Sequence, residues 1–288
     1  SMAISVLILG QGFVGKYLAD LLKARKVDYA ATTTDGRAST IKWRLPKPED
    51  NTKAGFAALP AATAIVITFP LSGQAEAKQL IDGYLEHQRV KLSNAVLNTR
   101  WIYLGSTRPF KQTPSTRYTP PDIAAGGERV EAEEHIIKAG GHVLNLAGLW
   151  GSERIPRNWS RFYPDKEKLR KRLADRSLHL IHGADVARAI YAVMTESELP
   201  GGRWIVSDRL VHDALQIYIG DERIRKFIQE LLVEDDVRHL LGADDIDGIK
   251  LGNSAVSLRI DSSHFWKQFN MEPEYPFVVN MSDPYSGF

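Results

Sequence analysis

The sequence predicts an α/β protein built on a doubly wound parallel sheet, with a smaller lobe contributed by the C-terminal part of the chain. Two observations indicate this fold class. Short apolar runs of strand length alternate with segments whose apolar residues recur at helical spacing. The connections between them are short, and this β-α-β order is typical of a parallel sheet covered by helices.

The elements of the first half follow in order from these patterns. The strands are apolar runs that stop at polar residues, glycine or proline, and we place them at 4–9, 27–34, 64–69, 100–105 and 142–147. The first helix carries its apolar residues at helical spacing, on Val14, Leu18, Leu21 and Leu22. Further helices are predicted over 76–87 and 128–139, the latter stopped by two glycines.

The second half is less regular. A helix is predicted over 184–194, a strand over 203–207 and a helix over 224–241. The stretch 254–260 and the tail from Phe277 have the pattern of extended chain.

We predict two units from this organisation. Residues 2–150, together with about 180–210, form the domain that carries the sheet. Residues 151–179 and 211–288, with approximate boundaries, form a smaller lobe over the strand ends, where sheets of this kind bind their substrates.

Composition excludes several classes of function. None of the 288 residues is cysteine, which excludes disulfides, thiolate metal sites and cysteine nucleophiles. The formal net charge of +2 gives no reason to expect nucleic acid or a membrane as a partner. No apolar run is long enough to cross a bilayer and no secretory signal is visible, so we expect a cytoplasmic protein. The acidic stretch 234–247 lacks the spacing of a calcium loop, and we expect no metal site.

The most specific motif is a glycine turn between the first strand and the first helix. Gly10, Gly12 and Gly15 have G-x-G-x-x-G spacing, which in this context indicates a Rossmann-type dinucleotide site. Gly10 allows the tight turn, Gly12 lets the backbone approach a pyrophosphate, and Gly15 lets helix and strand pack closely. The first N–H groups of the helix then face the phosphates. The alternative is a glycine turn in an unrelated α/β protein.

The end of the second strand bears on the choice between NAD and NADP. An acidic residue there would bind the ribose hydroxyls, and Asp35 lies at a suitable distance from the glycines. The strand, however, ends at Thr33 or Thr34, and their hydroxyls with Arg37 nearby suit a 2′-phosphate better. Asp35 then serves as a turn residue. We therefore expect NADP, with NAD as the alternative.

Several segments resemble the extended and atypical short-chain dehydrogenase/reductase family, in its NAD-dependent epimerase/dehydratase branch. The order and spacing of the family hold from residue 4 to about 210. No single motif is decisive, but their combination in order is hard to obtain by chance. Besides the glycine turn, the matching segments are WIYLGST at 101–107, ERVEAEEHI at 128–136, VLNLAGLWG at 143–151, LIHGADVARAI at 180–190, RWIVSD at 203–208, and the closing strand and helix at 255–276.

The resemblance implies a catalytic Ser or Thr, a Tyr, and a Lys four residues after it, but this chain departs from the pattern. Ser106 and Thr107 match the hydroxyl that orients the substrate. Aligning 132–133 with the family's central helix places the Tyr position at Ala125 and the Lys position at Arg129. Ala125 has no proton to donate. Arg129 can hold a ribose hydroxyl, but it stays charged and cannot relay a proton.

The same resemblance implies which residues contact the cofactor. They come from the glycine turn, from the ends of the following strands, and from the loop after the fifth strand. The expected contacts are Gly10, Gly12, Phe13, Val14, Gly15, Thr33, Thr34, Arg37, Phe69, Pro70, Ser106, Arg129 and Gly148.

Two features leave alternatives open. Tyr118 precedes Ala125 in the same connection, so its phenol either replaces the missing acid or packs with its hydroxyl in water; Tyr163 and His179 are more remote candidates. The stretch 161–176 holds seven Lys or Arg and three acids. It is either a lid for a phosphorylated or carboxylated ligand, or a solvated helix face with mixed charges, which we favour.

The sequence therefore supports more than one function. The first is an NAD(P)-dependent oxidoreductase or isomerase acting on a small carbonyl or sugar-like substrate with Ser106, Thr107 and Tyr118. The second is a dinucleotide-binding sensor without turnover, similar to NmrA-like regulators. A third is redox-independent isomerase or lyase chemistry in the same cleft. The helix at 128–139 is short and highly charged, so a monomer and a homodimer are equally expected.

Overall fold

The computed structural model describes residues 3–50, 53–93 and 97–287, so Met2 and Phe288, at the outer ends of the predicted units, lie outside it. The strands are β1 (Ile4–Leu9), β2 (Tyr29–Thr33), β3 (Ile41–Lys42), β4 (Ala62–Ile67), β5 (Arg100–Ser106), β6 (His142–Leu146), β7 (Gly148–Trp150), β8 (Ser177–Leu178), β9 (Leu180–His182), β10 (Gly202–Val206) and β11 (His212–Asp213).

Helices connect and cover these strands. They are α1 (Phe13–Ala24), α2 (Gly73–Lys91), α3 (Ile123–Gly126), α4 (Glu128–Lys138), α5 (Lys166–Ala174), α6 (Gly183–Thr195), α7 (Ala214–Tyr218), α8 (Glu222–Leu231), α9 (Asp235–Leu241) and α10 (Ser263–Gln268). A 3₁₀ segment at Pro156–Phe162 precedes α5. Among the described residues, no helix combines the length and the apolar character needed to cross a bilayer.

Seven strands form one parallel sheet in the order β10-β6-β5-β4-β1-β2-β3. This arrangement confirms the predicted doubly wound α/β fold. The chain runs outward from β1 in one direction through β2 and β3, and in the other through β4, β5, β6 and β10. Ligands of such sheets bind outside the carboxyl ends of the strands where the order reverses, which here is beside β1 and β4.

Alternating side chains of the strands build one core on each face of the sheet. On β1, Val6 and Ile8 point into the core under α1 and α6, while Leu7 and Leu9 point into the core under α2 and α4. This alternation is the period of two expected for strands buried on both faces. The two cores fix the strand ends that position the site.

The C-terminal elements form a third core of their own. Leu169 of α5, Leu215 of α7 and Ile228 of α8 are buried together there. In contrast, Phe265 and Trp266 of α10 pack on the sheet face beside β10. The segment that contains α10 therefore packs on the sheet, although the sequence groups it with the lobe, whereas Phe277 further along is buried in the core of the lobe.

Three predicted elements differ from those in the structure. The strand predicted over 64–69 is β4, which begins at Ala62 and ends at Ile67. It ends at a turn in which the Thr68 hydroxyl donates to the carbonyls of Leu9 and Gly10. The helix predicted over 224–241 is two helices, α8 and α9. The break lets residues on both sides face the core of the lobe, while Val233 between them is 74% exposed. The stretch 254–260 contains a 3₁₀ turn and a single bridge at Ile260, so it forms no strand.

Candidate functional site

Two cavities open side by side at the carboxyl edge of the sheet. The first, which we call the glycine-turn cavity, has a volume of about 640 Å³ and lies at the ends of β1, β2 and β4. Most of the residues expected to contact a cofactor line it. These are Gly10, Gly12, Phe13, Val14, Thr33, Thr34, Arg37, Phe69 and Pro70.

The geometry of the three glycines separates their roles. Gly10 has φ +94°, and a Cβ on it would lie 2.5 Å from the Thr68 hydroxyl oxygen. A Cβ on Gly15 would lie 2.9 Å from the carbonyl oxygen of Gly10. Gly12 differs from both, because its φ is −91° and a Cβ on it would meet nothing within 4 Å. The protein itself therefore has no steric need for glycine at position 12, which is what a backbone approached by a ligand would show.

The start of α1 adds favourable electrostatics to this cavity. Gly12 is the N-cap of the helix, and no side chain caps it. The first N–H groups of a helix lack intrahelical partners, and the helix dipole favours an anion beside them. The guanidinium of Arg154 lies over the Phe13 ring, 4.2 Å from its centroid, and also lines the cavity. The free N–H groups of the first turn of α1 and the guanidinium of Arg154 therefore lie at the same end of the cavity. These residues fit the pyrophosphate of a dinucleotide.

The end of β2 forms the far side of the same cavity. Thr33 and Asp35 are tied into the turn: Gly36 donates its N–H to the Thr33 hydroxyl, and Arg37 donates its own N–H to the Asp35 carboxylate. These turn contacts, the backbone bond from Arg37 first, hold the pKa of Asp35 below its usual range. Asp35 is not part of the lining, whereas Arg37 and Arg44 are.

Arg44 is a residue that the sequence analysis missed. It follows the two-residue strand β3, which is too short to produce a pattern in the sequence. Among the described residues it forms no ion pair, while Arg37 pairs with Asp35 at 2.9 Å on the surface. Such an exposed pair contributes little, so the Arg37 guanidinium can exchange Asp35 for another anion.

The second cavity, which we call the Ser106 cavity, also has a volume of about 640 Å³. It lies at the ends of β5 and β6 and is closed on one side by the 3₁₀ segment of the lobe. It contains the predicted residues Ser106 and Arg129. Leu149 and Arg154 line both cavities, so the two are adjacent parts of one cleft.

Ser106 sits in a defined position at the end of β5. Its hydroxyl oxygen accepts a hydrogen bond from the N–H of Arg108 at 3.1 Å, which leaves the hydroxyl proton available for a ligand. Its carbonyl accepts from the Asn145 amide at 2.9 Å, and the same amide group reaches Glu133 at 3.1 Å. Because these partners fix the backbone, the hydroxyl faces the cavity in a preset orientation.

A buried ion pair between Glu133 and Arg203 holds the Asn145 amide that bonds the Ser106 carbonyl. Glu133 is 1% exposed and accepts from Arg203 at 2.8 Å, and the same Arg203 nitrogen donates to Asn145 at 2.7 Å. A Cβ on Gly105 would overlap the Glu133 carboxylate, which explains the glycine before Ser106. Sequence reasoning missed Asn145 and Arg203; the available signal was a polar residue inside each of two apolar strands.

Arg129 is held at the rim of the Ser106 cavity. Its Nη2 donates to the Leu104 carbonyl at 2.9 Å, and its buried Nε has no hydrogen-bond partner among the described residues. The phenol of Tyr103 lies nearby but is fully buried and accepts from the N–H of Leu71 at 2.8 Å. Burial, before all other causes, raises the pKa of Tyr103, so this phenol is a structural group.

Four of the expected residues do not line either cavity: Gly15, Thr107, Gly148 and Tyr118. Gly15 packs against the glycine turn. Thr107 donates its N–H to the Leu146 carbonyl at 3.1 Å, and its side chain lies outside the lining. Gly148 lies in β7 and donates its N–H to the His179 carbonyl at 2.9 Å; its neighbours Ala147 and Leu149 line the Ser106 cavity instead. Gly148, expected to contact the cofactor, and Thr107, expected to be catalytic, therefore lie outside the lining in this structure, and their roles stay predictions.

Tyr118 is also placed away from the cleft. Its ring is 72% exposed and packs edge-on against His264 of α10, with ring centroids 5.3 Å apart. Its neighbour Arg117 stacks on Trp204 of β10 and lies beside Gly202, at the amino end of that strand. Ser106 lies at the opposite, carboxyl end of β5. The connection folds away from the cleft, so Tyr118 lies outside both cavities, and its catalytic role stays a prediction that this geometry does not support.

The position that carries tyrosine in the family is altered in its backbone as well. Ala125 belongs to α3, and Gly127, with φ +56°, separates this turn from α4, where Arg129 lies. The two positions are therefore not on one continuous helix. Across the described residues that line the two cavities, none is a tyrosine or a histidine.

The two remote candidates have structural roles. His179 is 9% exposed; its Nδ1 lies 3.1 Å from the Leu210 carbonyl, and its Nε2 accepts from the N–H of Arg259. The Tyr163 ring packs on Tyr218. Within the ranges that the structure covers, no cluster of three or more His, Asp or Glu side chains suits a metal ion.

The basic stretch at 161–176 divides into two parts. Residues 166–174 form α5, and Arg170 there pairs with Glu234 of the lobe at 2.5 Å. This part is the mixed-charge helix that the sequence favours. Arg161, which precedes the helix, lines the Ser106 cavity instead.

Comparison with known proteins shows the fold. No family model matches the sequence, and no curated protein matches it. Among solved structures, it resembles a functionally unknown conserved protein from Silicibacter pomeroyi DSS, with 20% identity over 96% of this chain and 95% of that chain and a TM-score of 0.59. It also resembles UDP-N-acetylglucosamine 4-epimerase from Bacillus cereus, with 13% identity, 96% of each chain covered and a TM-score of 0.59.

A third similar structure is the yeast methylglyoxal/isovaleraldehyde reductase Gre2 complexed with NADPH, with 15% identity, 94% of each chain covered and a TM-score of 0.54. Identities at this level establish the fold alone. The chain therefore has the Rossmann-type fold of the epimerase and short-chain dehydrogenase/reductase structures, as its sequence motifs predict.

Proposed function

We propose that this protein binds NADP and transfers hydride between the cofactor and a small carbonyl compound in the Ser106 cavity. The observation that carries the proposal is the junction of the two cavities at Leu149 and Arg154. One cavity has the features of a dinucleotide site, and the other presents a hydroxyl with a free proton. Similar structures include the reductase Gre2 with NADPH and an epimerase, which supports this kind of chemistry.

Residues of the glycine-turn cavity would hold the cofactor. Gly12 and the first turn of α1, with Arg154, would receive the pyrophosphate. Arg37 and Arg44 would bind a 2′-phosphate, since guanidinium groups recognise phosphate with charge-assisted hydrogen bonds. The carboxylate of Asp35 is engaged in its turn and does not line the cavity, which favours NADP over NAD.

The residues of the Ser106 cavity would promote carbonyl reduction by electrostatics. NADPH, when bound, supplies a hydride to the carbonyl carbon. The Ser106 hydroxyl would donate to the carbonyl oxygen, and the guanidinium of Arg129 would stabilise the negative charge that develops on it. With no phenol or imidazole among the described lining residues, water in the open cavity would supply the proton that completes the alcohol. General acid assistance contributes about 10²–10⁴-fold, so we expect slow turnover.

A second function is favoured by the same lack of an acid. A protein that binds NADP without turnover needs no proton donor, and the described lining offers none of the usual type. The polar and open Ser106 cavity argues against this alternative, because a sensor does not require a hydroxyl and several cations beside the cofactor.

The test is NADPH oxidation with a library of aldehydes, ketones and sugar derivatives. Binding is measured first, by NADPH fluorescence. Ser106→Ala should lower the rate with any active carbonyl by about 10²–10³-fold, as for loss of one oxyanion donor. Thr107→Val, which changes the adjacent hydroxyl outside the cavity, is the matched control and should retain activity. Binding of NADPH without consumption by any carbonyl would favour the sensor, and no NADPH binding would refute both.

A further inference from the structure

We infer that the Ser106 cavity selects a substrate that carries a phosphate monoester. This inference rests on the proposed function, because it names the class of carbonyl compound that the same cleft accepts. It comes from the charge of the cavity wall, which the proposed hydride transfer does not by itself require.

The cavity wall carries uncompensated positive charge. Arg108, Arg129 and Arg161 line it together with a single carboxylate, Glu153. Within the described part of the chain, none of these three arginines has a carboxylate within ion-pair distance, whereas arginines elsewhere, such as Arg203, do. Three cations against one anion give this wall a net charge of +2. A phosphate monoester carries about −1.5 to −2 charge at neutral pH and would match this charge.

Arg154 is not needed for this balance. It lies over the ring of Phe13 at the start of α1 and lines both cavities, which places it beside the cofactor phosphates. The three remaining arginines line only the Ser106 cavity. The charge that would serve the cofactor is thus distinct from the charge that would serve the substrate.

The basic segment of the lobe, residues 161–176, contains both paired and unpaired cations, and one of the unpaired cations lines the cavity. In α5, Arg170 is neutralised by Glu234 and Glu167, and Lys166 approaches Glu230 at 3.8 Å. Lys168, Lys171 and Arg172 form no ion pair among the described residues, but they lie on α5 outside the cavity lining. Arg161 also forms none, and it is the cation of this segment that lines the cavity. Because unpaired like charges repel one another, their gathering at one cavity is expected where a bound anion relieves the repulsion.

The position of the arginines also sets an orientation. Arg161 belongs to the 3₁₀ segment of the lobe, together with Trp159 and Phe162, which add aromatic surface to the wall. Ser106 at the end of β5 and Arg129 of α4 line the same cavity from the sheet and its covering helix. A substrate with its carbonyl at Ser106 would then place its phosphate toward the lobe, where Arg161 binds it. A guanidinium recognises phosphate by paired hydrogen bonds, which gives direction as well as charge.

The experiment is a calorimetric titration of the full chain with matched ligands. The panel contains three- to six-carbon aldose and ketose phosphates, their neutral parents, and the corresponding sugar acids, each with and without NADP⁺, which blocks reduction. At least one phosphate should bind about tenfold or more tighter than its neutral parent, and its affinity should fall with added salt. Arg161→Gln should weaken that phosphate about 10–100-fold, the loss expected for a charge-assisted hydrogen bond.

Arg157→Gln is the matched control, because Arg157 belongs to the same 3₁₀ segment, is exposed and does not line the cavity. Its affinity for the phosphate should equal that of the wild type. Equal losses in Arg157→Gln and Arg161→Gln, a preference for sugar acids over phosphates, or no phosphate preference anywhere in the panel would each overturn the inference. NADPH binding, measured separately, tests the proposed function: oxidation of NADPH without a phosphate preference would remove only the inference.

Discussion

Replacing Gly12 by alanine tests whether the glycine turn serves a ligand or the fold. Its φ of −91° is accessible to alanine, and the added Cβ would meet no heavy atom of the protein within 4 Å. We therefore expect the free energy of unfolding to change by no more than about 0.5 kcal/mol. The Cβ would instead project into the space where a pyrophosphate is expected.

The effect on binding can be estimated from the same geometry. A methyl group forced into a packed contact costs about 1–3 kcal/mol, which corresponds to a Kd raised about 5–150-fold. Gly12→Val, with two further methyl groups, should remove measurable NADPH binding. Gly10 provides the contrast, since its φ of +94° and the Cβ contact of 2.5 Å with Thr68 penalise alanine in the protein itself. Gly10→Ala should cost about 1–3 kcal/mol of stability.

The assay combines NADPH fluorescence titration with thermal unfolding of both variants. Gly12→Ala should lose affinity at an unchanged Tm, whereas Gly10→Ala should lower the Tm by about 2–4 °C for each kcal/mol lost. The reasoning is refuted if Gly12→Ala titrates like the wild type, or if its Tm falls as far as that of Gly10→Ala.

Three further predictions concern other parts of the chain. Arg44→Gln should raise the Kd for NADPH by about 10–100-fold and leave the Kd for NADH unchanged, and an equal loss for both in fluorescence titrations would contradict a 2′-phosphate site. Tyr118→Phe should leave kcat/KM unchanged with any active carbonyl, because the phenol lies outside both cavities; a clear fall would return Tyr118 to the mechanism. Burial lowers the pKa of His179 to about 4, so the unfolded state binds one more proton than the folded state between pH 6.5 and 4. The free energy of unfolding should therefore decrease as the pH is lowered from 6.5 to 4. His179→Gln should show a shallower slope of unfolding free energy against pH by about 1.4 kcal/mol per unit, and identical slopes would show that His179 is not responsible.

The sequence was sufficient for the parts of the fold that local patterns encode. Strand β1 was predicted with the bounds that the structure shows, and the glycines and the apolar positions of α1 were identified, because apolar period and backbone freedom are local properties. The helix break between α8 and α9 was not predicted. It depends on both segments reaching a common core in the lobe, and helical periodicity alone does not reveal it.

The candidate site divides in a similar way. The residues of the glycine-turn cavity follow directly after strands, so their place at the carboxyl edge could be predicted from strand order. Arg44, Arg108 and Arg154 lie in connections whose paths depend on distant contacts, and no motif marked them. The position of Tyr118 could not be predicted for the same reason. Its place in the sequence suggested a catalytic role, but its connection runs to the edge of the sheet beside β10 and α10.

By itself, the sequence determined the α/β class with a parallel sheet, the dinucleotide-type turn and the absence of a tyrosine with a lysine four residues after it, because each depends on residue type and spacing along the chain. Only the tertiary structure decided which cations face the cleft and which are neutralised elsewhere. That choice depends on where loops from separate parts of the chain come together, which in the folded chain brings Arg108, Arg129 and Arg161 to one cavity.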